Sequence, residues 1–128
     1  MKSLLSFLNP NRKGPDRSGS AMSQQIKTVD AATVMGWMKE GRAVIVDVRE
    51  PNEHHAAHIP GAVLVPLSSF DPRRVPVEPG KHLVFHCQSG RRCGPAAAQM
   101  VESGYAGEIN RLNGGMAAWL AASGPVER

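Results

Sequence analysis

An open, mostly parallel β-sheet with helices on both faces is the fold class this sequence predicts, on three observations. Ala43-Val44-Ile45-Val46 is a continuous apolar run rather than an alternating one, the pattern of a strand buried on both faces. A second run of strand length, Leu83-Val84-Phe85 between His82 and His86, repeats it. Stretches of helical period lie around these runs, so strand and helix alternate from Ile26 onward, as they do in parallel α/β sheets. The size suits one such domain: 128 residues, 41% hydrophobic and 20% charged, can bury one core and have no room for a second.

Residues 1–25 read as a flexible basic extension and residues 26–128 as the folded domain, because residues 9–25 are rich in Asn, Pro, Gly, Ser and charge with no period that would bury a face. The apolar patch Leu4, Leu5, Phe7 and Leu8 is shorter than a signal-peptide core, and no stretch reaches membrane-spanning length. A cytoplasmic protein without an integral membrane segment is expected, with peripheral membrane contact through that patch as the alternative. Two cysteines six positions apart do not form the framework of a small secreted protein and point to a reducing compartment or a reactive thiol. The formal charge of +4 invites a nucleic-acid reading, but Lys2, Arg12, Lys13 and Arg17 against Asp16 put +3 in the extension and leave +1 for residues 26–128. Without a basic patch interleaved with stacking aromatics, no nucleic-acid partner is expected.

Within the domain, Ile26 to Val29 suits a short edge strand. Asp30 is an N-cap for a helix carrying Ala31, Val34, Met35 and Met38 on one side, with Gly41 at its C′ position. The buried strand Ala43–Val46 ends at Asp47. Glu50-Pro51-Asn52 turns the chain, one or two helical turns follow over Glu53 to His58, and Ile59-Pro60-Gly61 ends them. Ala62 to Val65 is the next strand. Four prolines between Pro66 and Lys81 predict mostly loop. After the strand at Leu83–Phe85 come a cysteine-bearing turn and a helix to about Ser103. Ile109–Leu112 is a last strand, Asn113-Gly114-Gly115 a tight turn, and Met116–Ala122 a final helix closed by Gly124-Pro125.

The chemistry centres on Cys87-Gln88-Ser89-Gly90-Arg91-Arg92-Cys93, a strand-to-helix turn at the carboxyl end of a strand, where ligands of open α/β sheets bind. Successive backbone N–H groups in such a turn, backed by the positive end of a helix, cradle an anion or a thiolate. Arg91 and Arg92 add positive charge, and the Cys87 thiol is expected to ionise easily and act as a nucleophile.

Asp47-Val48-Arg49-Glu50-Pro51, His58-Ile59-Pro60-Gly61-Ala62, the cysteine loop, and Leu112-Asn113-Gly114-Gly115 with Trp119 together resemble the rhodanese homology domain in content and order. The resemblance implies a sulfurtransferase without a cofactor. Its cysteine takes sulfane sulfur from a small anionic donor such as thiosulfate, becomes a persulfide, and passes the sulfur to cyanide, a thiol or a protein acceptor. Carried over, Cys87 is the nucleophile, Gln88, Ser89, Gly90, Arg91 and Arg92 bind the anion or persulfide, and Asp47, Arg49 and His58 support the site. Ala57 stands where the family often has glycine. Four residues separate Cys87 from Arg92, one fewer than in related phosphatases that hold a larger tetrahedral anion, which favours sulfur over phosphate.

Other readings stay in play. Cys93 is either a packing residue at the helix start or a resolving thiol that attacks the persulfide. His54 and His58 share a helical face and could bind a metal, but the expectation is no metal. His86 could serve as a general base, although strand alternation turns it away from Cys87. Arg73 and Arg74 read as a solvated pair, Trp37 as a half-buried packing residue, and Trp119 as a core aromatic or a pocket wall. A Cys-dependent phosphatase or arsenate reductase, and a non-catalytic or sulfur-delivery interaction module docking through residues 1–25, are the alternatives to the enzyme.

Overall fold

All five expected strands form, and every pairing between them is parallel. The computed structural model describes residues 25–128, so the extension expected over residues 1–25 lies outside the described residues except for Gln25, whose side-chain amide donates to the Tyr105 carbonyl at 2.6 Å. In chain order the elements are β1 (Ile26–Val29), α1 (Ala31–Lys39), β2 (Ala43–Asp47), α2 (Pro51–Ala56), β3 (Val63–Leu64), two 3₁₀ turns (Leu67–Ser69 and Pro72–Arg74), β4 (His82–His86), α3 (Cys93–Glu102), β5 (Ile109–Leu112) and α4 (Gly115–Ala121). The strands lie in the order β1-β5-β4-β2-β3.

The two apolar runs, β2 and β4, are neighbours inside the sheet, which is why neither alternates. Val44, Val46, Leu83 and Phe85 face α3 and pack with Ala96, Ala97 and Met100. Ile45 and Val84 point to the opposite face and pack with Ala31 and Val34 of α1 and Met116 and Trp119 of α4. Helices therefore cover both faces. No helix among the described residues is long and apolar enough to cross a membrane.

Local chemistry sets the ends. The Asp30 carboxylate accepts the Thr33 N–H at 2.8 Å, and Gly41 closes α1 at φ +70°. The helix expected over Glu53–His58 begins earlier, at Pro51, and ends at Ala56. Pro51 suits the first helical turn, and the Glu53 carboxylate accepts the Glu50 N–H at 3.0 Å. His58 then leaves the helix for an antiparallel bridge with Glu127. β3 is two residues long rather than four because it meets only Val46 and Asp47 of β2. Trp37 stacks on His82 with ring centroids 3.8 Å apart. Trp119 is fully buried, its indole N–H donating to the Pro125 carbonyl at 2.8 Å, so it is a core residue rather than a pocket wall.

Because β4 sits mid-sheet, the chain leaving it at Cys87 emerges between β2 and β5, flanked by the segments that follow both strands. Phe85, fully buried and edge-on to Phe70 at 6.0 Å, anchors that exit. Phe85→Ala is expected to cost about 3–5 kcal/mol, read as a lower urea midpoint with an unchanged m-value.

Candidate active site

Cys87 follows β4 directly, and the loop after it curls back on its sulfur. The Gly90 N–H donates to Cys87 Sγ at 3.0 Å, with Gly90 at φ +100°, a conformation that side chains rarely adopt. The Cys87 thiol is pushed down to about 4. The largest cause is a hydrogen bond from the Cys93 thiol; burial opposes it, and the backbone N–H groups of Cys93, Gly90 and Arg92 add to it. Around the sulfur the leading influences are backbone dipoles and the Cys93 thiol, with the Arg92 charge adding to them. Cys93 itself is buried at the first position of α3, and its thiol is pushed well up by Cys87 and by burial. Its S–H faces two acceptors, the Phe85 carbonyl at 3.4 Å and the Cys87 sulfur, and the charged one is the stronger when Cys87 is ionised.

What curls the loop is the carbonyl of Cys87. It accepts the Met116 N–H at 2.8 Å and His86 Nδ1 at 3.2 Å, and the next carbonyl, of Gln88, accepts the Ala117 N–H at 3.1 Å. A carbonyl only accepts, so His86 carries a proton on Nδ1. The first turn of α4 thus docks on the loop through backbone alone. Gly115 lies at φ +57°, and a Cβ there would collide with the Cys87 carbonyl oxygen and the Gln88 backbone. The Gly114-Gly115 pair is a close-approach surface for the loop as well as a turn.

Beneath the loop is a buried ionic brace. Asp47, fully buried, accepts Arg49 Nε at 3.0 Å and Arg49 Nη2 at 2.9 Å, while Arg49 Nη2 also reaches the Ala57 carbonyl at 2.6 Å. Burial works to raise the Asp47 carboxyl, and the Arg49 hydrogen bonds together with His86 and His54 hold it below the ordinary carboxylate range. His54 Nδ1 lies 2.9 Å from Asp47 Oδ2, and its ring stacks on His58 with centroids 4.1 Å apart. His58 Nδ1 donates to the His54 carbonyl at 2.9 Å, and its Nε2 faces Glu127 at 3.3 Å. The two rings lie face to face with separate partners instead of converging on a shared point. His86 is fully buried, and its Nε2 is 3.7 Å from Asp47 Oδ2 with no hydrogen-bond partner among the described residues. Burial holds its imidazole below the usual range, which favours the neutral ring.

The loop arginines part company. Arg92 forms a two-pronged pair with Glu53, Nη1 to Oε1 at 2.7 Å and Nη2 to Oε2 at 2.9 Å. Glu53 is held down to about 2, first by that hydrogen bond. Gln88, Ser89 and Arg91 are exposed at the rim. Gly90 is fixed from both sides, because its carbonyl accepts Arg111 Nη2 at 3.0 Å. Among the solvent arginines, Arg73 is exposed and bound to Asp71 at 3.1 Å. Glu53 and Arg111 are contacts of the loop that sequence reasoning missed, while Gly115 was marked only as part of a turn. The position of Glu53 at the third residue of a helix was the available signal for it, whereas Arg111 had none.

Against known proteins, the rhodanese-like domain family matches residues 30–122. The chain is 36% identical over 107 residues to the uncharacterized protein slr1261 of Synechocystis sp., covering 84% of this chain and 59% of that protein's length. It is 30% identical over 103 residues to the thiosulfate sulfurtransferase GlpE of Pseudoalteromonas translucida, covering 80% of this chain and 97% of GlpE. Among solved structures, a rhodanese-related protein from Thermoplasma volcanium superposes with a TM-score of 0.66 at 25% identity, covering 79% of this chain and 97% of that one.

Two outcomes follow from the sulfur's surroundings. A thiol pushed down to about 4 is ionised throughout the neutral range. Iodoacetamide alkylation of Cys87 should therefore hold a flat rate from about pH 8 down to about pH 5, where an ordinary thiol slows tenfold per unit. In Cys93→Ala the inflection should move up, since the largest lowering influence is gone, while Cys93→Ser keeps it low.

Proposed function

The chain belongs to the rhodanese-like domain family, and on that premise we propose that it is a sulfurtransferase that carries sulfur on Cys87. The observation that carries this reading is the Cys87 sulfur itself, held as a thiolate by Gly90 N–H at 3.0 Å and by its neighbours in the loop. The thiolate attacks the outer sulfur of thiosulfate; an S–S bond forms to Cys87, the sulfur–sulfur bond of thiosulfate breaks, and sulfite leaves with the electron pair. The resulting persulfide is a monoanion, and the same N–H groups hold it. An acceptor, cyanide or a thiol, then attacks the outer sulfur, and Cys87 leaves as the thiolate the loop already stabilises. The likeness to GlpE supports thiosulfate as the donor.

Gln88, Ser89 and Arg91 meet the donor at the rim. Arg92 acts through shape: tied to Glu53, it closes the loop and does not offer two free prongs to a phosphate. Asp47, Arg49 and His58 keep the floor rigid. Cys93 serves as a hydrogen-bond donor to Cys87 rather than as a resolving thiol, because a thiol pushed up in pKa is a poor nucleophile at neutral pH.

Thiocyanate formation from thiosulfate and cyanide tests the assignment. Cys87→Ser should bring it to background with the fold intact, and Cys93→Ala should retain most of it at pH 8. Full turnover in Cys87→Ser, or aryl-phosphate hydrolysis that depends on Cys87, would overturn it. Gly115→Ala should lower turnover at least about tenfold, since the added methyl must push α4 off the Cys87 carbonyl and release the loop.

A further inference from the structure

Arg111 stands where packing alone would ask for an apolar residue. It lies in β5, an interior strand, and its register partner in β4 is Phe85, which packs in the core beneath α3 together with Ile109, two residues before Arg111 on the same face. The residue is half-buried, its Nε has no hydrogen-bond partner, and among the described residues no carboxylate pairs with it. Placing a guanidinium there costs free energy, and a break with the packing rule of this kind marks a functional constraint. The contact it makes is with the loop backbone. Nη2 donates to the Gly90 carbonyl at 3.0 Å, and the guanidinium lies over Gly94, where a Cβ would sit 3.4 Å from Nη2. That contact is on the outer side of the loop, since the cavity of about 240 Å³ that Gly90, Arg91 and Arg111 help to line does not include Cys87.

The Gly90 carbonyl and the Arg91 N–H belong to one peptide unit, and in a trans peptide the two point in opposite directions. A carbonyl held outward by Arg111 therefore turns the Arg91 N–H inward. On that side the N–H groups before and after it, those of Gly90 and Arg92, already act on the Cys87 sulfur. The Arg91 N–H itself has no acceptor among the described residues. We propose that Arg111 is a positioning residue that aims the Arg91 N–H at the outer sulfur of a persulfide on Cys87, an atom about 2 Å beyond Sγ. The proposal rests on the sulfurtransferase reading above. It divides the donors by the state they serve. Cys93 and the N–H groups of Cys93, Gly90 and Arg92 hold the unloaded thiolate, and the Arg91 N–H finds its acceptor only when the second sulfur arrives.

The test uses the full chain in two forms. In the first, Cys87 is loaded from thiosulfate and the persulfide is titrated by its near-ultraviolet absorbance. Arg111→Gln should raise the persulfide inflection by about one pH unit, the scale of one hydrogen bond to a charged group, and move the alkylation inflection of unloaded Cys87 much less. Equal movement of the two inflections, or of neither, overturns the proposal. The difference should persist in about 1 M salt; its loss there assigns the effect to the arginine charge at a distance and overturns the proposal as well. The second form needs no sulfurtransferase activity. The Cys87 thiolate attacks the sulfenyl sulfur of methyl methanethiosulfonate, methanesulfinate leaves with the electron pair, and a methylthio group sets its sulfur in the outer position. In ¹⁵N-labelled wild type the Arg91 amide should shift on this modification, and in Arg111→Gln the shift should be lost. Gly94→Val, which keeps the arginine but crowds its guanidinium off the Gly90 carbonyl, should lose it too and guards against a folding defect in the first variant. An Arg91 amide that stays still in wild type, or moves as far in the variants, overturns the proposal. Failure of thiosulfate to load Cys87 would sink the sulfurtransferase reading and leave this second comparison standing.

Discussion

The carbonyl oxygen of Cys87 is the point on which the site depends. Buried between sheet and helix, it must be satisfied, and the Met116 N–H and His86 Nδ1 satisfy it from one side. With that carbonyl held inward, the peptide units that follow turn their N–H groups toward the sulfur. The docking requires α4 to begin against the loop backbone, which a side chain at position 115 would prevent. The sheet order supplies the rest: β5 adjoins β4, so the turn leaving β5 is delivered to the loop leaving β4.

Charge is arranged in layers around that loop. Fully ionised groups lie below it, where Asp47 and Arg49 neutralise each other in a buried pair, and beside it, where Glu53 neutralises Arg92. The sulfur sees mostly neutral donors. Such donors stabilise a monoanion strongly in a buried site without making a deep well for a dianion, a balance that suits the persulfide proposed above. Positive charge without an ion-pair partner among the described residues is left at the rim and in the neighbouring cavity, in Arg91 and Arg111.

Much of this was legible in the sequence because it depends on patterns that are local. Unbroken apolar runs marked β2 and β4, Asp30 and Gly41 marked the ends of α1, and the strand–cysteine–glycine–helix order marked the reactive turn. The start of α2 was misplaced because Pro51 was taken as a turn residue, although it equally opens a helix once Glu53 reaches back to Glu50. The leading influences on the thiol, the Cys93 side chain and backbone N–H groups, were not the ones the sequence pointed to, and the Arg92 charge only adds to them. Glu53, thirty-nine residues from Arg92, pairs with that guanidinium, and a pairing at such separation leaves no trace in a single sequence. For the same reason the partner of His54 was not legible: Asp47 is brought to it by the β2–α2 connection and not by helical spacing.

The central claim is that the thiolate of Cys87 holds a transferable sulfur. Intact mass spectrometry of the full chain after incubation with thiosulfate and removal of excess reagent tests this most directly. The account predicts a gain of a single sulfur atom, located by fragmentation on Cys87 and removed by cyanide. An unchanged mass, or a sulfur carried on Cys93 with Cys87 unmodified, would contradict it.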